Sequence, residues 1–256
     1  AKVFDALDVG AVDFVATPAV SSREQLEAFI QNELLVKIKI ASTANISRIK
    51  QKAMQQEQSV LPPKGGDLVV AIGASTGGTE AIFSVVQNFG TDIPGVVIVQ
   101  HMPPGFTNMY AKRLDNQCRV VVKEAETGDQ VKPGHVLIAP GGDRHMRLVK
   151  VNGVYQVECK AGPKVNGHCP SVDVLFDSVA RVAGPKALGI ILTGMGGDGA
   201  KGLLEMRRAG ARTIGQDEST CVVYGMPKVA YDLGAVEYQE KLQDVAKRAY
   251  AVLGRM

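Results

Sequence analysis

Three side chains of this sequence have the types and settings for nucleophilic catalysis. They are Ser75 in Gly73-Ala74-Ser75-Thr76-Gly77, His101 directly after Val96-Val97-Ile98-Val99-Gln100, and Asp198 in Gly194-Met195-Gly196-Gly197-Asp198-Gly199. A serine hydroxyl attacks a carbonyl when an imidazole takes its proton, and a carboxylate holds that imidazole in the useful tautomer. The assignment that follows is Ser75 as nucleophile, His101 as general base and then acid, and Asp198 as the orienting carboxylate. Glycines around Asp198 let backbone N–H groups point inward, so the Met195 amide is a candidate donor to an oxyanion. That is the chemistry of a serine hydrolase.

Each of the three residues follows an aliphatic run that reads as a buried strand: Val69–Ile72, Val96–Gln100 and Leu188–Leu192. Strands alternating with helices argue a parallel sheet, whose C-terminal strand ends share one edge, where sites assemble. Gly73, Gly77 and Gly78 mark a tight turn carrying Ser75 between strand and helix. Helices are expected from Thr79, from Phe106, from Ser171 (with Val172, Leu175, Phe176, Val179 and Val182 on one face), over 201–209 and over 242–253. Further strands are expected at Val120–Val122, Val136–Ala139, Thr213-Ile214 and Val236-Glu237, and a β-hairpin between about 146 and 160 turns at Asn152-Gly153. The predicted class is α/β: a three-layer, doubly wound, mostly parallel sheet with a β-hairpin insertion.

Other uses of the same residues stay open at this level. Ser75, Thr76 or Thr79 would serve as helix caps, the Gly-rich turn would cradle a phosphate, and Asp198 would cap its own helix. Tyr224 and Lys228 have the Y-x-x-x-K spacing of an NAD(P)-dependent oxidoreductase. Gly225 and Pro227 between them oppose the helix that would put both on one face, and no acidic residue ends the second strand to hold a ribose. His145 beside Asp143 and His168 beside Cys169 fit no zinc spacing, so no metal is expected.

The chain has 256 residues and a formal charge of +3, without Lys/Arg blocks interleaved with aromatics, which argues against nucleic acid as a partner. Cys118, Cys159, Cys169 and Cys221 have no C-x-x-C spacing, and no apolar run approaches the ~20 residues of a membrane span, so a cytoplasmic, non-embedded protein is expected. Ahead of the main domain (67–256), residues 42–66 read as a Gln/Ser/Lys-rich linker closing in Pro62-Pro63-Lys64-Gly65-Gly66. Residues 1–41 contain a helix-like run up to Gly10, a short strand over Val12–Val15, and a helix with a capping box at Ser21-Ser22-Arg23-Glu24. The stripe Leu26, Phe29, Ile30, Leu34 and Ile38 on that helix needs a partner.

The motifs Ile72–Gly78, Val99–Phe106, Ala139–Gly142 with His145-Met146, Pro170–Phe176, Leu192–Gly199 and Val223–Lys228 resemble, in order, the catalytic domain of the chemotaxis protein-glutamate methylesterases, the CheB family. Ala6–Val15 resembles the end of the response-regulator receiver domain that precedes it in that family. The resemblance implies a serine hydrolase of γ-glutamyl methyl esters on the cytoplasmic regions of methyl-accepting chemotaxis receptors, with deamidation of receptor glutamines in many members. It implies Ser75, His101 and Asp198 as the triad, Thr76 beside the nucleophile, the Met195 amide on the oxyanion, no cofactor, and a chemotaxis histidine kinase as partner of the intact receiver. Two further classes stand against it: an oxidoreductase using the Gly-rich loop, and a catalytically idle receptor-binding domain. Thr17 stands where the receiver pattern usually has Lys, which bears on regulation by phosphorylation. Cys169 and Cys221 depart from the expected polar residues, which implies altered substrate contacts.

Overall fold

Val69–Ala74 is buried at every position, as a strand covered on both faces must be. It forms β1 of a computed structural model that describes residues 3, 6, 9–18, 22–43 and 67–256. The other strands of its sheet are β2 (Gly95–Gln100), β3 (Val121–Glu124), β4 (His135–Ile138), β7 (Ala187–Ile191), β8 (Arg212–Gln216) and β9 (Tyr238–Glu240), in the order β3-β4-β2-β1-β7-β8-β9. All neighbouring pairs are parallel. Side chains alternate between two cores. Val70, Ile72, Val96, Ile98, Leu188 and Ile190 pack beneath α3 (Gly78–Val86), α4 (Phe106–Gln117) and α8 (Leu242–Leu253). Val69, Ala71, Val97, Val99 and Ile191 pack beneath α5 (Val172–Val182), α6 (Ala200–Arg208) and α7 (Met226–Asp232). The result is the three-layer α/β arrangement.

The strand order reverses between β1 and β7, and a crevice opens beyond the C-terminal ends of strands at such a point. Ser75 and the loop carrying Asp198 follow those two strands, and His101 follows the adjacent β2. The insertion is the antiparallel hairpin β5 (Arg144–Val151) and β6 (Val154–Ala161). Its turn residues Asn152 and Gly153 have φ of 49° and 83°, the left-handed pair that a two-residue turn requires. Leu148 N of the hairpin donates to Ser178 Oγ of α5 at 2.8 Å, fixing it to the site-bearing layer.

Three expectations differ from the structure. The residues read as a strand at Val12–Val15 join no ladder, since a strand needs a hydrogen-bonded neighbour and none lies beside it among the described residues. The strand expected at Val236-Glu237 begins at Tyr238, where the ladder starts opposite Ile214; just before it Glu237 N is shared between Thr213 O (3.2 Å) and Thr213 Oγ1 (3.0 Å). The helix after Ser22 runs as α1 (Arg23–Phe29), a π-helical turn (Ile30–Leu34) and α2 (Leu35–Thr43), with Ser22 Oγ accepting from Gln25 N. Leu26 and Ile38 of its apolar stripe remain exposed. Phe14 does meet the main domain, its ring centroid 4.6 Å from that of Phe106 at the start of α4, the two rings tilted by 36°. Most of the helix-like run before Gly10, and residues 44–66 of the expected linker (42–66), lie outside the described residues.

Candidate active site

The turn after β1 is clamped through its backbone. Ser75 N donates to Thr193 O at 3.0 Å, and Ser75 O accepts from Gly78 N at 2.7 Å. Gly77 has φ 75°, and a Cβ there would lie 2.6 Å from Val222, so this position admits only glycine without rearrangement. None of the hydroxyls of Ser75, Thr76 or Thr79 caps α3, whose N-cap is Gly77; the capping alternative is set aside. Gly194 approaches from the β7 side so closely that a Cβ on it would lie 2.8 Å from Ser75 Cβ. The buried Gln100 joins the two reactive loops, its Nε2 donating to Ser75 O (3.0 Å) and to His101 O (3.1 Å).

His101 and Asp198 meet directly, Nε2 to Oδ2 at 2.9 Å, with both side chains almost fully buried. Asp198 does not cap the helix that follows it. It caps α5 instead, accepting from Val172 N (2.7 Å), Asp173 N (3.2 Å) and Ser171 Oγ (2.7 Å), with Asn166 Nδ2 as a further donor at 2.9 Å. Burial by itself would raise its pKa, but the bonds from His101, Asn166 and Ser171 and the His101 charge outweigh it and hold the carboxyl well below the usual range. An ionised carboxylate only accepts, so His101 Nε2 carries a proton, and in the neutral imidazole Nδ1 then presents a lone pair. That Nδ1 is buried without a hydrogen-bond partner, and it is not bonded to Ser75 Oγ in this geometry. Apo serine–histidine contacts are often longer than those in a substrate complex.

Sequence reasoning gave no individual role in the site to Gln100, Asn166, Ser171 and Asp173, and weighed His168 only as a metal ligand. His168 stacks on His101, and burial foremost, then the His101 charge, lowers its pKa to about 4. Asp173 is raised by burial and shares Asn166 with Asp198. The local signal that could have found one of them is the Asn166-Gly167 dipeptide, a turn former.

Of the remaining candidates, the Thr76 and Met195 N–H groups find no acceptor among the described residues. Tyr224 and Lys228 do not share a helix face: Tyr224 precedes α7 and its hydroxyl accepts from Gln239 (2.7 Å), while Lys228 pairs with Asp232 (2.6 Å). His145 spends both ring nitrogens, donating to Pro163 O (2.8 Å) and accepting from Ser171 N (3.1 Å). Among the described residues no group of three or more His, Cys, Asp or Glu is placed to hold a metal ion. Cys221 is buried with Sγ toward Gln216 O, whereas Cys169 is only half-buried.

Residues 70–249 match the family described as CheB methylesterase. The protein-glutamate methylesterase/protein-glutamine glutaminase 2 of Syntrophomonas wolfei is 59% identical, over 100% of this chain and 74% of its own length. The protein-glutamate methylesterase/protein-glutamine glutaminase of Syntrophotalea carbinolica is 50% identical, over 97% of this chain and 72% of its own. The crystal structure of the Thermotoga maritima CheB methylesterase catalytic domain superposes with a TM-score of 0.71 at 39% identity, covering 73% of this chain and all of that one.

Proposed function

The chain belongs to the CheB methylesterase family, and on that premise we propose that it hydrolyses γ-glutamyl methyl esters, and deamidates glutamines, on methyl-accepting chemotaxis receptors. The observation that carries this reading is the His101–Asp198 pair with its unspent, buried Nδ1, joined through Gln100 to the turn bearing Ser75. Ser75 Oγ attacks the ester carbonyl as Nδ1 of His101 takes its proton. The oxyanion that develops is met by the Thr76 and Met195 N–H groups. Collapse breaks the C–O bond to the methoxy group, which leaves as methanol with the proton from His101. Water then attacks the glutamyl–Ser75 ester, giving up a proton to His101, and the free glutamate side chain departs as Ser75 Oγ is reprotonated. A glutamine follows the same route with ammonia as the leaving group. Asp198 stays ionised throughout and supports the imidazolium.

The oxidoreductase alternative is not favoured, because Tyr224 and Lys228 lie apart and engage other side chains. We place the reaction at the cytoplasmic regions of the receptors and the protein in the cytoplasm; among the described residues no helix is long and apolar enough to cross a membrane. Residues 1–41 are assigned to the end of a receiver domain through which a chemotaxis histidine kinase would act, followed by a linker to residue 66. Methanol release from methyl-labelled receptor membranes tests the activity: release by this chain, with a fall of ~10³-fold or more in Ser75→Ala, is expected. Release that survives the substitution would overturn the serine mechanism, and none from the unaltered chain would favour a binding module.

A further inference from the structure

Val165 and His168 exchange backbone hydrogen bonds of 2.9 and 3.0 Å, closing a two-residue turn. Its central residues, Asn166 and Gly167, have φ of 53° and 82°. Asparagine is among the few side-chain-bearing residues that accept such a backbone, so the turn holds an amide where alanine would be strained. That amide is aimed between two carboxylates. Asn166 Nδ2 lies 2.6 Å from Asp173 Oδ2 and 2.9 Å from Asp198 Oδ1, and an amide nitrogen has two hydrogens, one for each. The far oxygen of Asp173 accepts from Gly202 N of α6 at 2.7 Å. A continuous line of bonds thus runs from α6 through Asp173, Asn166 and Asp198 to His101.

Apart from His101, Asn166 is the one donor to Asp198 that does not belong to α5 or its cap, among the described residues. It opposes rotation of the carboxylate about its Cβ–Cγ bond, keeping Oδ2 toward His101. It also places positive hydrogens between two buried carboxylates that would otherwise repel. We propose that Asn166 is a positioning residue for the His101–Asp198 pair, acting through the amide bridge between Asp173 and Asp198. The proposal rests on the catalytic reading above only for its activity readout.

The substitution Asn166→Gly keeps the left-handed turn and deletes the amide; Asn166→Asp keeps the turn and the volume and replaces the donor with a third carboxylate. The groups that bear on the pair are His101, Asp173 and Asn166 itself, His168 stacked on His101, Asp177 along α5, Lys164 before the turn, and His145 against Ser171 N. Losing a donor to the ionised pair lets it take up a proton at higher pH. For Asn166→Gly we expect kcat for methanol release to fall about 10-fold with KM little changed, and the acid limb of the rate profile to move upward, further still for Asn166→Asp. A substrate-free readout accompanies it: the low-field proton resonance of His101 Nε2–H, expected to shift or broaden in both variants. Folded variants with an unchanged resonance would overturn the proposal even if the protein proves not to be an esterase. Unfolding of both variants would overturn it too, since the role would then be structural.

Discussion

His168 lies flat against His101, ring centroids 3.7 Å apart and planes within 10°. A charged plate there would oppose the imidazolium that forms during acyl transfer, and burial first, with the His101 charge second, keeps His168 neutral down to about pH 4. The unfolded chain protonates this side chain near its ordinary value of 6.5, so it binds more protons than the folded one between 6.5 and 4. Stability from this source is complete above 6.5 and is lost as pH falls toward 4, by about 1–2 kcal/mol after discounting for the partly exposed ring. His168→Phe keeps the stack and removes the titration. Urea unfolding at pH 7 and pH 4.5 should show a smaller loss in the variant than in the unaltered protein; equal losses would refute the assignment.

Asp198→Asn tests the tautomer. The carbonyl oxygen remains for Asp173 N and Ser171 Oγ, and the amide N–H₂ then faces His101 and Val172 N in place of an acceptor, so the imidazole proton is driven to the wrong nitrogen. Methanol release should fall by roughly 10³–10⁴-fold, while circular dichroism shows the fold retained.

Gly194→Ala places a Cβ 2.3 Å from Met226 Sδ and 2.8 Å from Ser75 Cβ, and one of them must move. Overpacking of this kind costs about 1–3 kcal/mol, and displacement of a nucleophile by ~1 Å costs about 100-fold in rate. The expected signature is a lowered kcat larger than the stability loss alone would give. Full activity would show that the approach of Gly194 to Ser75 has slack.

Gln100→Leu removes the two bonds to the Ser75 and His101 carbonyls and also removes Oε1, a buried acceptor without a partner. The two changes oppose each other in stability, so the melting temperature should move by only a few degrees, while kcat drops about 10-fold as the loops lose register. A large fall in stability with unchanged kcat would assign Gln100 to folding rather than to the site.

Residue types and their order were enough to read the sheet, its direction and the edge on which Ser75, His101 and Asp198 lie. Long aliphatic runs read as doubly covered strands, strand–helix alternation imposes parallel pairing, and parallel pairing puts every strand exit on one side. The tight turns at Ser75 and at Asn152-Gly153 were legible for the same reason, because glycine and asparagine carry their backbone requirements locally. Which helix end Asp198 serves was not legible there and follows from packing. Its own helix lies one residue away, yet it caps α5, whose Ser171 is 27 positions back, and takes an amide from Asn166, 32 positions back. Likewise the stack of His168 on His101 joins the Asn166-Gly167 turn to the end of β2. These contacts depend on how layers pack over the sheet, and a packing of distant segments leaves no periodicity in the chain from which it could be read.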